Sequence, residues 1–343
     1  MILYACFLLG EIMDKLHYNF VVFFARYDFW RSTFGEEAYN NKHIRIYKEA
    51  FFGPKILQKI FHYHWSCSLN QKICLPFKRI WFRKMYKQNF DNDLPIVFIY
   101  MAGSTIYYGK DFLKYIKNKN SKNKNVMLYA DLLEKSKSNA HTLLKDLVDL
   151  EITYDLGESQ KYGIEYFQKI TYSKLIPEPI EPNFEFDVYF LGAAKDRLSK
   201  IHSAYQYFTQ NGLRCKFVVA GVPKEKQTVQ GIEYTSGISY EQNLQYVVRS
   251  KGILEIMQGG SSDITMRARE AVAYRRKFIT DCQLDLSKYF YKNQLCQYKD
   301  FHEIDVEFLE DNFCPDEFNP KVDFNPIRRF YFIQDKLDEI NKN

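Results

Sequence analysis

Two stretches of this 343-residue chain carry side chains suited to holding a phosphorylated ligand. The first is Gly192-Ala193-Ala194-Lys195-Asp196-Arg197, where a glycine admits close approach to the backbone and two basic side chains can neutralise an anion. The second is Gln258-Gly259-Gly260-Ser261-Ser262-Asp263, followed at once by Thr265, Arg267 and Glu270. If a helix opens after that loop, its uncapped N–H groups and its dipole form an anion site that the glycines leave accessible. Arg267 and Glu270 are three residues apart and so share a helix face, and a hydroxyl, a guanidinium and a carboxylate together suit phosphate and ribose hydroxyls. Neither GxGxxG nor GxxxxGK[ST] is present, so an ordinary capped helix with a surface ion pair also satisfies the pattern.

The elements that must position these residues can be read from periodicity. Asp187 to Leu191 is a predicted strand, Leu198 to Gln210 a helix closed by Asn211-Gly212, and Cys215 to Ala220 the next strand. That βαβ unit puts the first glycine turn where such units place ligands. Ser239 to Gln242 has the form of a capping box, opening a helix to about Ser250, and Gly252 to Met257 is a strand. The loop, a helix over Ile264 to Arg275 and a strand over Lys277 to Thr280 follow. In the first half, strands are predicted at Asn19 to Ala25, Leu94 to Met101, Val126 to Tyr129 and Ile152 to Tyr154, with helices at Lys110 to Lys117 and Leu132 to Leu150. Alternation of this kind builds a parallel sheet. Ile176 to Pro182 holds three prolines in seven residues and reads as a linker, and Asp335 to Glu339 reads as a last helix. The expected organisation is 1–175, the linker 176–182, a second domain 183–320, and a tail 321–343 whose helix packs back on the first domain.

Hydrophobic residues make up 46% of the chain and charged residues 26%, enough for a large core and against intrinsic disorder. The absence of any long uncharged apolar run argues against a membrane-spanning helix. The net charge of +6 is local: Lys42 to Phe90 holds eleven Lys or Arg and one acid, Glu49. With its many aromatics this segment suits an anionic membrane surface or a polyphosphate; it carries no nucleic-acid motif, and a solvated basic face over an aromatic core is the plainer alternative. Seven cysteines without a CxxC pair fit a reduced, cytosolic compartment. His62, His64, Cys67 and Cys74 match no standard zinc spacing. Met1 to Leu9 reads as a buried first strand, with a short interfacial anchor as the alternative.

On three segments the chain resembles bacterial glycosyltransferases of capsule, exopolysaccharide and lipopolysaccharide synthesis that adopt the GT-B fold. They are Tyr189 to Ile201, Gly237 to Asp281 and, more loosely, Ile152 to Phe167; the first 90 residues hardly take part. The resemblance implies an α/β protein of two Rossmann-like domains facing an interdomain cleft, the second binding a nucleotide sugar and the first the acceptor. It puts Glu270 at the donor ribose, Thr265 and the loop Gly259, Gly260, Ser261 and Ser262 at the pyrophosphate, and Gly192, Lys195 and Arg197 at the departing nucleoside diphosphate. Asp155 and Glu158 are then candidates for the general base that deprotonates an acceptor hydroxyl, and Glu255 for a further cleft carboxylate. No metal and no other cofactor is expected, because basic groups and helix dipoles can meet the leaving charge and no Asp-x-Asp follows a strand.

The chain departs from the Glu-x7-Glu pattern of retaining members, having Ser262 eight residues before Glu270. The expected function is metal-independent transfer of a sugar from a nucleotide-diphosphate donor to a lipid-linked or growing surface polysaccharide. The expected setting is cytoplasmic, with peripheral contact at the inner membrane surface and no nucleic-acid partner. A nucleotide-sugar 2-epimerase and a non-catalytic nucleotide-binding scaffold are the first rivals, and a nucleic-acid-binding module, whose mark would be a steep salt dependence of affinity, is the third.

Overall fold

A computed structural model of the chain describes residues 16–23, 25, 28–48, 53–65, 69, 73, 75–102, 110–129, 132–133, 140–167, 172–177, 183–259, 264–310 and 325–342. The chain divides into two compact units, one of residues 1–26, 37–152 and 327–343, the other of 27–36 and 153–326. The division falls between Ile152 and Thr153, upstream of the proline-rich stretch that the sequence suggests as a linker. Residues 178–182 of that stretch, and the expected strand at Met1 to Leu9, lie outside the described residues.

The elements of the first half begin with β1 (Asn19–Phe23), α1 (Phe29–Tyr39), β2 (Ile44–Ile46), α2 (Lys55–His64) and α3 (Arg79–Tyr86). They continue through β3 (Ile96–Ala102), α4 (Lys110–Lys119), β4 (Lys124–Tyr129), α5 (Ala140–Leu144), β5 (Leu150–Thr153), α6 (Leu156–Tyr162) and β6 (Glu165–Tyr166). The sheet order is β2-β1-β3-β4-β5-β6, and β1 pairs in parallel with both β2 and β3. Phe20, Val21 and Val22 are buried in succession, as are Val97 to Tyr100 and Val126 to Leu128. Unbroken apolar runs of this kind mark strands covered on both faces.

The sequence suggests one helix over Leu132 to Leu150, but the described part forms only α5, a 3₁₀ turn at Lys145–Leu147 and then β5. Leu150 and Ile152 are buried strand positions, and Asn125 ties the two strands together: its N–H donates to Asp149 Oδ2 at 2.7 Å and its amide to the Leu147 carbonyl at 3.0 Å. Sheet pairing overrides a helical pattern here.

The second sheet is built from β7 (Phe186–Ala193), α7 (Leu198–Gln210), β8 (Cys215–Ala220), β9 (Glu233–Thr235), α8 (Tyr240–Val248), β10 (Ser250–Glu255), α9 (Met266–Ala273), β11 (Lys277–Thr280) and β12 (Leu295–Gln297). Its order, β12-β11-β10-β7-β8-β9, reverses direction between β7 and β10, and its pairings are parallel. Val188 and Phe190 face the core shared with α7, while Tyr189 between them faces the core shared with α8 and α9. Ser239 caps α8 by accepting from Gln242 N at 3.1 Å, as the capping-box pattern requires. A four-residue helix, α10 (Glu307–Glu310), precedes α11 (Arg328–Lys342), which belongs to the first unit. There Phe330 packs edge-on against Phe20 at 5.2 Å, and Gln334 accepts from His17 N at 2.9 Å.

Asp187 pins the start of β7 to both neighbours: it accepts from Arg214 N and Arg214 Nε, at 2.8 and 3.0 Å, and pairs with Lys251 of β10 at 3.1 Å. Burial pushes its carboxyl up, but those partners outweigh it and hold the pKa at about 2, below the ordinary 3.8. A depressed carboxyl stabilises the fold above its ordinary value and stops doing so as pH falls toward 2. Asp187→Asn is therefore expected to lose on the order of 1–2 kcal/mol at neutral pH and to show a weaker acid dependence below pH 4 in urea titrations.

Candidate functional site

The reversal of strand order puts the ends of β7 and β10 side by side, and the loops leaving them must diverge, which opens a crevice at the carboxyl edge of the sheet. Both sequence-selected turns lie here. They are clasped together: Lys195 Nζ donates to Gln258 Oε1 at 2.5 Å, and Gly259 N donates to Asp196 Oδ2 at 3.3 Å. Lys195 adopts a left-handed backbone (φ 44°), an unfavourable conformation for a residue with a Cβ and one typical of tight functional turns. Gly260, Ser261 and Ser262 lie outside the described residues.

Two guanidinium groups converge above the end of β7. Arg197 donates from Nε and Nη2 to the Ala193 carbonyl, at 3.3 and 3.2 Å, and from Nη1 to the Ile256 carbonyl. Arg267, on α9, donates from Nε to the Leu191 carbonyl at 2.8 Å. Both lie over the ring of Phe190, at 5.9 and 5.6 Å from its centroid. Between them runs Gly192, where a Cβ would come within 2.9 Å of a nitrogen of each guanidinium. Burial and the charge of Arg267 lower the pKa of Arg197 to about 10. Two like charges held together with their backs bonded to carbonyls leave a positive field at the crevice, and an anion there would relieve their repulsion.

Beneath them Glu255, at the end of β10, is 1% exposed. It accepts from Thr265 Oγ1 and from Thr280 Oγ1, the latter at 2.7 Å, and lies 3.8 Å from Arg267 Nη1. Burial raises its pKa, and Arg267 and the two threonines oppose the rise. Thr265 also caps α9, accepting from Arg267 N at 3.2 Å. Both Glu255 oxygens are thus engaged by the framework, which fits it to position Thr265 and Arg267 rather than to meet a substrate.

Glu270, one turn along α9, is 3% exposed and lies beside a cavity of about 260 Å³. Arg267, Gly192, Tyr189, Tyr240, Asn243 and Phe29 line the same cavity. Asn243 donates to Glu270 at 2.9 Å while accepting from Tyr189 at 2.9 Å. The Tyr240 hydroxyl also bonds Glu270, and the Tyr172 hydroxyl meets that of Tyr240 at 2.9 Å. Burial dominates these partners and raises the pKa of Glu270 to about 7. The arrangement offers a carboxyl and an amide at one side of an aromatic cavity and guanidinium at the other, which suits a polyol joined to an anion.

Sequence reasoning finds Glu270, Arg267 and Gly192 but misses Phe29, Tyr189, Tyr240 and Asn243. Only the capping box before α8 points at Tyr240 and Asn243, and nothing local points at Phe29, which comes from α1 to pack edge-on against Tyr240 at 6.3 Å. Asp155 caps α6, accepting from Glu158 N at 3.0 Å, and Glu158 is buried beside Thr153 at 3.5 Å. Neither lines the cavity. Their neighbour Tyr154 carries the Arg269 guanidinium over its ring at 5.3 Å, so the start of α6 is held against α9. Of the zinc candidates, His64 accepts from Trp81 Nε1 at 2.7 Å, and Cys67 and Cys74 lie outside the described residues.

No known family profile and no curated protein matches this chain. Among solved structures it is similar to an α-glucosyltransferase in complex with UDP and a 13-mer DNA containing an HMU base. That likeness has a TM-score of 0.55 at 10% identity and covers 94% of this chain and 99% of the other. Weaker likenesses, on which no argument rests, are to a UDP-GlcNAc 2-epimerase from Neisseria meningitidis bound to UDP-GlcNAc and to the glycotransferase of kitacinnamycin. The epimerase gives a TM-score of 0.46 at 11% identity, covering 92% of this chain and 99% of the other. The glycotransferase gives 0.40 at 9%, covering 93% and 98%. At such identities the likeness shows the fold: two Rossmann-like units, the components of the GT-B architecture.

Two outcomes follow from the geometry. Because Glu270 binds its proton more tightly in the folded chain than at its ordinary 4.5, its burial costs nothing in acid and progressively more as pH rises toward 7. Glu270→Gln is expected to flatten that decline, a component on the order of 3 kcal/mol in wild-type minus variant stability against pH. Gly192→Ala is expected to push both arginines aside and cost about 1–3 kcal/mol in urea denaturation.

Proposed function

We propose that this protein is a glycosyltransferase that takes a sugar from a nucleotide-diphosphate donor. The observation that carries the reading is that Glu270 and Arg267 line one cavity at the strand-order reversal, with Arg197 meeting Arg267 across Gly192. The donor ribose would bond Glu270 and Asn243, and the base would lie among the aromatic side chains. The diphosphate would meet Arg267, Arg197, Lys195 and the N-terminus of α9. As the glycosidic bond to phosphate breaks, negative charge grows on the leaving diphosphate, and fixed guanidinium groups stabilise it without reorganising. In this reading the reaction needs no metal or further cofactor, and Asp155 or Glu158 takes the proton of the acceptor hydroxyl.

The acceptor we propose is a lipid-linked or growing surface polysaccharide, reached by peripheral contact with the inner membrane surface. The likeness to a transferase complexed with UDP supports a nucleotide-sugar donor. The DNA in that complex speaks for a second reading, in which the acceptor is a nucleic acid; steeply salt-dependent binding to duplex DNA would favour it.

A thermal-shift series against UDP, GDP, dTDP and CMP sugars tests the donor site. A nucleotide-selective rise in Tm is expected for the wild type. Arg267→Ala and Glu270→Gln should weaken binding about 10- to 100-fold, the usual cost of losing a hydrogen bond to a charged group. Absence of any shift at millimolar nucleotide would overturn the reading.

A further inference from the structure

We infer that helices α2 and α3 of the first unit form a face that inserts shallowly into an anionic lipid bilayer. Among the described residues, six of the eight exposed large hydrophobic side chains fall between Ile56 and Ile80. On α2, Ile56, Ile60 and Tyr63 follow at i, i+4 and i+7, one stripe turned away from the core, with Ile56 69% and Tyr63 63% exposed. Phe77 and Ile80, at the start of α3, are 78% and 56% exposed. Phe77 also has a left-handed backbone (φ 62°), an unfavourable conformation for an aromatic residue. An aromatic ring held in water on a strained backbone gains nothing from the fold of this unit.

The opposite faces of the two helices show that packing does not require these side chains. Phe61 of α2 meets Trp81 of α3 edge-on at 5.5 Å, Trp65 meets Phe82 at 6.2 Å, and Phe82 meets Phe112 of α4 at 5.3 Å. That buried aromatic layer anchors both helices, so the outward stripe is free to serve another surface.

Charge identifies the surface. Residues 53–90 contain eight Lys or Arg and no Asp or Glu. Lys55 and Lys59 flank the stripe on α2, and Arg79 and Arg83 are exposed beside Ile80 on α3. Aliphatic tips ringed by cations match the acyl boundary and headgroups of an anionic leaflet, where each cation near the surface adds attraction and Tyr sits at the interface. Four of the six exposed tips between Ile56 and Ile80 are isoleucines, which give a base no ring to stack on; Tyr63 and Phe77 do, so duplex DNA enters the test as a competing outcome. A second copy of this face would oppose like charges.

This inference deepens the lipid-linked acceptor reading and rests on it for its purpose, but its test uses no nucleotide. Sedimentation of the full chain with phosphatidylcholine vesicles, with and without phosphatidylglycerol, is the measurement. Binding is expected only to the anionic vesicles. Ile56→Ser/Ile60→Ser and, separately, Phe77→Gly should each weaken it about tenfold, the value of removing buried apolar surface. Phe77→Gly relieves the backbone, so its Tm should equal or exceed that of the wild type, which separates lost contact from lost fold. Arg79→Ser/Arg83→Ser should weaken binding to the same extent. Failure of the wild type to bind anionic vesicles overturns the inference. So does unchanged binding of the apolar variants, a preference for duplex DNA over vesicles lost in the same variants, or a dimer that these variants dissociate. A donor-induced shift in the Tm of the wild type keeps the two readings apart: its absence beside binding to anionic vesicles faults the donor site and leaves this face standing.

Discussion

A carboxylate buried at the end of a central strand organises the second unit. Glu255 receives hydroxyls from Thr265 and Thr280 and stands below Arg267, so one side chain joins β10, β11 and the start of α9. Burial raises the pKa of Glu255 while its attraction to Arg267 opposes the rise, and the same carboxyl favours the charged form of Arg197, where repulsion between like charges is costly. Arg197 and Arg267 converge at Gly192, at the edge of the crevice. The cap on α9, the close approach of the backbone and the positive field are parts of one compensated cluster.

Strand order decides where that cluster can act. In the second sheet the order of the strands reverses between β7 and β10, so the turns that follow these two strands face each other there. The aromatic cavity beside Glu270 uses that space. Its polar members form a chain from Tyr189 through Asn243 and Glu270 to Tyr240, whose hydroxyl meets that of Tyr172 outside the lining. Each link fixes the orientation of the next, and burial makes any unpaired member expensive.

The first unit manages its aromatic excess differently. Rings at Phe61, Trp65, Trp81, Phe82 and Phe112 form a layer of tilted and edge-on contacts beneath α2 and α3. Because that layer satisfies the core, the side chains left outside carry information about what lies beyond the protein. The sequence segment from Lys42 to Phe90 shows the charge of this face but not its apolar stripe, since its aromatics divide between the interior, at Phe61, Trp65, Trp81 and Phe82, and the surface, at Tyr63 and Phe77.

The sequence by itself determined the elements whose signals are local. Leu198 to Gln210, Cys215 to Ala220 and Lys277 to Thr280 lie where periodicity and capping put them, because side-chain spacing and the first orphan N–H groups of a helix are settled within a few residues. It also marked Gly192, Arg267 and Glu270 as ligand-facing types. Only the tertiary structure decided which residues those types meet. Among the described residues it cut the predicted helix over Leu132 to Leu150 down to the short α5 and a 3₁₀ turn, by pairing β5 into the sheet from Leu150. It engaged Glu255 in the framework, and it drew Phe29 from more than two hundred residues away in sequence to the side of Glu270. Contacts between residues so distant depend on strand order and burial, which no window of the sequence contains.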